Sequence, residues 1–118
     1  MFPYRSGRGL KRWLATVVLV ALCVAYVLPD HLSAGRDVPL DVLLHVGFFA
    51  ICGAGLVWAF ARLVPLWVLA VLAFGLEYAQ WRIAGFAHIE WGDIASNEGG
   101  VVVAWMAGWC WFHRRAAM

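Results

Sequence analysis

Charged residues are scarce in this sequence. Only 14% of its 118 residues are Asp, Glu, Lys or Arg, whereas 64% are hydrophobic. Soluble domains carry roughly 25% charged and about 45–50% apolar residues, and disordered chains contain even fewer apolar residues. The net charge of +2 is too small to indicate a nucleic-acid partner. The composition therefore argues against a disordered chain and an ordinary soluble domain, and it predicts an integral membrane protein.

Cysteine is also rare. Cys23, Cys52 and Cys110 each lie inside an apolar run, and no CxxC pair occurs. Three thiols cannot form a closed disulfide framework or a four-thiolate zinc site. The sequence also lacks an HExxH motif, a phosphate-binding loop, a dinucleotide fingerprint and a haem-attachment motif. We therefore expect no cofactor and no bound metal ion.

The chain does contain four long apolar runs: Trp13–Leu28, Val42–Ala61, Leu63 to about Trp81, and Ile94–Phe112. A helix needs about 20 apolar residues to cross a bilayer core of roughly 30 Å, where no water satisfies an open backbone. The runs predict an all-α polytopic membrane protein with four transmembrane helices. We expect one domain over residues 1–118, with a basic segment at 1–12. A cleaved signal peptide is the alternative for the first run, although no small-x-small site precedes Pro29.

The basic residues predict the orientation of these spans. With four spans, seven of the nine Lys and Arg residues fall on one side of the membrane: Arg5, Arg8, Lys11, Arg12, Arg62, Arg114 and Arg115. Arg36 and Arg82 fall on the other side. Basic residues concentrate in cytoplasmic segments. We therefore expect both termini to be cytoplasmic.

All seven acidic residues fall on the outer half of this predicted arrangement: Asp30, Asp37, Asp41, Glu77, Glu90, Asp93 and Glu98. Three of the four histidines join them, namely His31, His45 and His88. Acidic residues contribute little to topology. This clustering therefore indicates that the outer face uses these groups.

Three helix ends each carry a pair of polar residues on one face: Asp41 with His45, Glu77 with Gln80, and Asp93 with Asn97. The spacings are i, i+3 or i, i+4, which place both members on the same side of a helix. Ionisable groups inside spans normally face the bundle interior or an aqueous cavity. We therefore predict that the six side chains converge in one shallow, outward-opening pocket.

Each of these residues also has a purely structural interpretation. Asp41 and Asp93 are suitable N-caps, His45 is able to donate to a neighbouring carbonyl, and Asn97 is a suitable interhelical hydrogen-bonding group. Glu77 is the hardest to explain in this way, because an unpaired carboxylate inside a span costs several kcal/mol. We therefore expect a hydrogen-bonded network that links Glu77 with His45 and Asn97.

Small residues predict the helix contacts. Gly100, Ala104 and Gly108 form a small-xxx-small stripe on the fourth run, and Gly47, Ala50 and Ala54 form a similar one on the second. Such stripes allow two helices to approach closely. They serve packing within the chain or a homodimer, so the oligomeric state stays open.

The polar pairs carry a family resemblance. Asp41-x-x-x-His45-x-x-Phe48-Phe49, then Glu77-x-x-Gln80, then Asp93-x-x-x-Asn97-x-x-Gly100 resembles the VanZ-like family of small bacterial membrane proteins, over roughly residues 41–108. Ala87 stands where family members usually carry Arg. The resemblance implies a four-helix protein of the bacterial cell envelope, located in the inner membrane. The founding member of the family is associated with low-level resistance to teicoplanin, a phenotype that does not transfer with the fold.

Several functions remain open at this stage. The first is binding or an accessory role, in which the outer pocket takes a lipid headgroup, an envelope precursor or a membrane-protein partner. The second is an enzyme that uses Glu77 or His45 as a general acid or base on a lipid-linked substrate, or that holds a metal ion with His45, Glu77 and Asp93. Ion conduction and a structural subunit of a membrane complex are further alternatives. We favour binding, because no nucleophile motif supports catalysis.

Overall fold

The computed structural model describes residues 6–27, 38–83 and 91–118. These parts form four helices: α1 over Ser6–Val27, α2 over Val38–Phe60, α3 over Pro65–Ile83 and α4 over Trp91–Ala117. The described residues contain no strand. The predicted all-α fold is therefore confirmed. The predictions that concern Arg5, Asp30, His31, Arg36, Asp37, Ala87, His88 and Glu90 lie outside the described residues.

The helices extend beyond the apolar runs. α2 begins at Val38, four residues before the run predicted from the sequence, and α4 continues to Ala117. Asp41 is therefore the fourth residue of α2, and Asp93 is the third residue of α4. Neither residue occupies the N-cap position that the structural interpretation assigned to it. Both carboxylates lie in a first helical turn, where the helix dipole favours negative charge.

A short turn makes α2 and α3 antiparallel neighbours. Ala61, the first residue after α2, has a φ of 53°, a left-handed conformation that glycine adopts more often. Its N–H donates to the carbonyl oxygen of Val57 at 2.8 Å, which satisfies one of the last carbonyls of the helix. Pro65 is the first residue of α3, where its missing N–H costs no helical hydrogen bond. The chain therefore reverses direction within a few residues.

The stripe of small residues on α4 lies at the contact with α2. A Cβ added to Gly100 would lie 2.5 Å from the carbonyl oxygen of Val46, and one added to Gly108 would lie 2.8 Å from Leu63 Cδ2. Ala104, between them, is buried, and it lies against Gly53 of α2, where an added Cβ would come within 2.5 Å of the Ala104 Cβ. These residues allow the two helices to approach closely.

Only Ala50 of the stripe expected on α2 lies at this contact, where its backbone nitrogen would be 3.0 Å from a Cβ added to Gly100. Nothing lies within 4 Å of a Cβ built on Gly47, and Ala54 is exposed. Gly53 fills the close contact instead, seven residues after Val46 and therefore on the same side of the helix. Which small residues of α2 form the close contact thus depends on the face that α2 turns toward α4.

The four helices alternate in direction, so the bundle has two chemically different ends. Lys11 Nζ lies 4.3 Å from the ring centre of Trp58, which places the start of α1 beside the end of α2. All described Lys and Arg residues except Arg82 lie at this end, which we call the basic end. The described acidic residues, Asp41, Glu77, Asp93 and Glu98, lie in the other half of the bundle, which we call the polar end.

The burial pattern of the bundle is partly inverted. Glu77 and Asn97 are 1% and 0% exposed, whereas Ile51, Trp67 and Val71 are each more than 70% exposed, at 75%, 78% and 72%. Apolar core residues such as Phe49 and Leu69 fill the remaining interior. Large apolar side chains therefore cover the outside of the bundle, and polar side chains lie within it.

Two of the helices in the described parts are long and apolar enough to cross a membrane, within Gly7–Tyr26 and Leu40–Phe60. In α3 and α4 the polar side chains near Glu77 and Asp93 reduce the mean hydropathy. Length and composition therefore agree with a membrane protein for two of the four predicted spans.

Candidate functional site

The polar end contains one polar side chain from each helix that is at least partly buried. We call Tyr26 of α1, His45 of α2, Glu77 of α3 and Asn97 of α4 the polar network. The Tyr26 hydroxyl donates to Glu77 Oε1, and it lies 3.0 Å from His45 Nδ1. Asn97 Nδ2 donates to the same hydroxyl oxygen at 3.0 Å. Tyr26 therefore connects the other three helices.

The contacts of Asn97 fix the orientation of its amide. Its Nδ2 faces three acceptors: the Tyr26 hydroxyl oxygen, the carbonyl oxygen of Ala73 at 3.3 Å and Glu77 Oε1 at 3.4 Å. A flipped amide would place Oδ1 against these oxygens. Oδ1 therefore faces His45 Nδ1, at 2.7 Å, and an acceptor at that distance requires a hydrogen on Nδ1.

The other ring nitrogen of His45 faces two carboxylates. His45 Nε2 lies 3.7 Å from Asp41 Oδ1 and 3.7 Å from Asp93 Oδ2. The side chain of His45 is 15% exposed, whereas those of Asp41 and Asp93 are 34% and 24% exposed. We call Asp41 and Asp93 the carboxylate pair. The site thus leads from the buried Glu77 through His45 to a carboxylate pair that solvent reaches.

Gln80 supports this site through the backbone. Its Nε2 donates to the carbonyl oxygen of Tyr26 at 2.7 Å. Tyr26 lies one residue before the last residue of α1, where helical carbonyls lack partners within the helix. Gln80 therefore ties the end of α1, and with it the backbone of Tyr26, to α3.

The structure brings the six residues that were named from the sequence into one neighbourhood. His45, Glu77 and Asn97 are joined through Tyr26, the carboxylate pair meets His45, and Gln80 holds the backbone of Tyr26. The set of His45, Glu77 and Asp93 that the enzyme alternative assigned to a metal is not formed. Glu77 contacts Tyr26 on the Nδ1 side of the imidazole, whereas Asp93 lies on the Nε2 side.

Sequence reasoning missed Tyr26. A tyrosine at the end of an apolar run also fits an interfacial aromatic belt, so its position alone does not single it out. Its distance from the predicted membrane surface could have identified it, because Tyr26 lies at the same level of the bundle as Glu77 and His45. Its ring also packs edge-on against Phe49 at 6.1 Å between ring centres, so the hydroxyl is held by aromatic packing as well as by hydrogen bonds.

Hydrogen bonding limits what the polar network is able to bind. Among the described residues, no buried side-chain nitrogen or oxygen lacks a hydrogen-bond partner. A saturated buried network rigidifies its surroundings and offers no free group to a ligand. A ligand therefore has to meet the partly exposed carboxylate pair, with the polar network as its support.

The fold and the site together define a small helical bundle with a polar network shared by four helices. Comparisons with known protein families, with curated proteins and with solved structures give no match for this chain. The VanZ-like resemblance therefore rests on the motif residues alone and stays a prediction.

Proposed function

We propose that this chain is a four-span membrane protein of the bacterial envelope, and that its polar end binds the headgroup of a lipid or of a lipid-linked envelope precursor. The main support is the inverted burial, with Glu77 and Asn97 inside the bundle and Ile51, Trp67 and Val71 outside it. Soluble monomers rarely expose apolar patches larger than a few hundred Å². A bilayer is the solvent in which both features are favourable.

The span lengths support the same proposal. α3, with 19 residues, is the shortest of the four helices in the described parts of the chain. At about 1.5 Å per residue it is roughly 28 Å long, close to the bilayer core of roughly 30 Å. Only 28% of the most apolar part of Leu40–Phe60 is buried within the bundle. This low value argues against the core helix of a soluble protein, which would be covered by its neighbours.

The separation of charges between the two ends supports an orientation with the basic end in the cytoplasm. We therefore expect alkaline-phosphatase fusions to be inactive after Phe60 and after Met118, and active after Leu40 and after Ala87. Immunoblots provide the control for equal amounts of each fusion. High activity after Met118 would contradict the proposed topology of four spans with both termini in the cytoplasm.

A role in binding is supported by the difference between the two parts of the site. The buried polar atoms near the polar network all have hydrogen-bond partners, whereas the side chains of Asp41 and Asp93 remain 34% and 24% exposed beside it. Side chains held by a rigid surrounding network are the usual arrangement of a binding site. The order of the motif residues, as in the VanZ-like family, favours an envelope ligand over other polar molecules.

Native mass spectrometry tests the binding. We expect the wild-type protein, extracted in mild detergent from cell membranes, to carry a co-purifying lipid or lipid-linked precursor. The double variant Asp41→Asn, Asp93→Asn should lower the occupancy of this adduct at least tenfold, because it removes both of the partly exposed carboxylates through which the site meets a ligand. Glu98→Gln is the matched control, since it removes an acidic group from the same end of α4. Equal occupancy in the double variant and the control would contradict the proposal.

A further inference from the structure

We propose that Asp41, His45 and Asp93 bind one divalent transition-metal ion. One ligand atom from each residue is available, and these atoms all lie within 4.8 Å of one another. Two of the residues, Asp41 and His45, lie one helical turn apart on α2, and Asp93 approaches from the first turn of α4. Three ligands from two helices that are packed tightly together form a defined site rather than a loose acidic surface.

The tautomer of His45 is an independent argument for this site. A histidine that binds a metal usually donates its other ring N–H to an oxygen of the protein, which fixes the tautomer and the ring orientation. Here Nδ1 carries the hydrogen toward Asn97 Oδ1 at 2.7 Å. In the neutral ring the lone pair of Nε2 is then directed at the carboxylate pair, each oxygen 3.7 Å away. Asn97 is 0% exposed, so it holds this orientation rigidly.

Charge and ligand type indicate the class of ion. Two carboxylates that lie this close together repel each other, and a dication between them neutralises both charges. Imidazole nitrogen favours zinc, iron, cobalt or nickel over calcium and magnesium, which prefer oxygen ligands alone. Three protein ligands leave coordination positions open for a further oxygen donor. This inference departs from the sequence-based expectation of no bound metal.

The metal inference rests on the proposed function for the role of the bound ion. Without a dication, an anionic headgroup would meet an acidic surface. Among the described residues this end carries Asp41, Glu77, Asp93 and Glu98 against Arg82. A bound dication converts this repulsion into attraction for a phosphate or carboxylate oxygen. The ion is therefore the expected contact between the protein and the polar ligand.

Cobalt titration tests the inference on the full chain in mild detergent. After treatment with EDTA, we expect Co²⁺ to bind with a stoichiometry of one per chain and to give visible absorption bands that saturate. Asp41→Asn and Asp93→Asn should each lower the Co²⁺ affinity at least tenfold. Glu98→Gln and His113→Gln are controls for unspecific uptake, the first at the polar end and the second near the basic end, and should leave the affinity unchanged.

Two results would overturn the metal inference. The first is no saturable Co²⁺ binding, as expected if His45 is instead a protonated imidazolium between the two carboxylates. The second is unchanged affinity in both Asp variants. A lipid adduct that persists undiminished in EDTA also contradicts the ion's role and leaves the proposed function standing. Co²⁺ binding that depends on Asp41 and Asp93 without any adduct would support the metal site and contradict the proposed function.

Discussion

Replacement of Tyr26 by Phe is expected to lower the free energy of unfolding by about 2 kcal/mol. The substitution keeps the ring and its packing on Phe49 but removes the hydroxyl that contacts Glu77, His45 and Asn97. A single interhelical hydrogen bond in a membrane contributes about 0.6 kcal/mol on average. The expected loss is larger, because a carboxylate that is 1% exposed loses its closest donor and a buried unsatisfied group costs about 1–3 kcal/mol.

Tyr78→Phe is the matched control for this prediction. Tyr78 lies one residue after Glu77 on α3 and is 47% exposed, so loss of its hydroxyl should change the free energy by less than about 0.5 kcal/mol. Reversible unfolding in mixed detergent micelles, followed by circular dichroism, measures both variants. Equal effects of the two substitutions would mean that the Tyr26 hydroxyl has no special role in joining the helices.

Gly100→Ala is expected to destabilise the bundle by about 2 kcal/mol. The added Cβ would lie 2.5 Å from the carbonyl oxygen of Val46, 2.8 Å from the Phe49 Cβ and 3.0 Å from the backbone nitrogen of Ala50. Two of these atoms belong to the backbone of α2, so α2 and α4 have to separate. Overpacking costs about 1–3 kcal/mol. Because the neighbouring atoms belong to a rigid helix backbone, we expect the cost at Gly100 to lie near the upper end of this range. The gain of about 1 kcal/mol in helix propensity offsets part of the cost.

Replacement of the preceding glycine, Gly99, is expected to change the free energy of unfolding in the opposite direction. A Cβ on Gly99 would meet only Val46 Cγ2, at 3.9 Å, which is ordinary van der Waals contact. Gly99→Ala should therefore stabilise the protein by up to about 1 kcal/mol through helix propensity alone. The same unfolding measurement compares the two variants. Similar effects at both positions would contradict the close approach of α2 and α4 at Gly100.

The tyrosine pair and the glycine pair of variants test one relation. The polar network depends on the close packing of α2 against α4. Asn97 lies three residues before Gly100 on α4, and His45 lies one residue before Val46 on α2. The short distance between the two backbones at Gly100 thus sets the 2.7 Å contact between Asn97 and His45. We expect Gly100→Ala to weaken Co²⁺ binding as well, since the ligands belong to these two helices.

Much of this architecture follows from the sequence by itself. The apolar runs determine four helices, because the backbone has to satisfy its own hydrogen bonds wherever apolar side chains exclude water. The i, i+3 and i, i+4 spacings place Asp41 beside His45 and Glu77 beside Gln80, since 3.6 residues form one turn. The alternation of helices assigns the described acidic residues and most of the basic ones to opposite ends.

Only the tertiary structure decided which groups meet. The sequence does not fix how each helix is rotated about its axis, and this rotation determines that Gly53, rather than Gly47 or Ala54, packs against Ala104. The same rotation places the Tyr26 hydroxyl among three helices and directs Asp41 and Asp93, instead of Glu77, toward Nε2 of His45. Sequence spacing relates residues within one helix, whereas contacts between helices depend on the fit of whole surfaces.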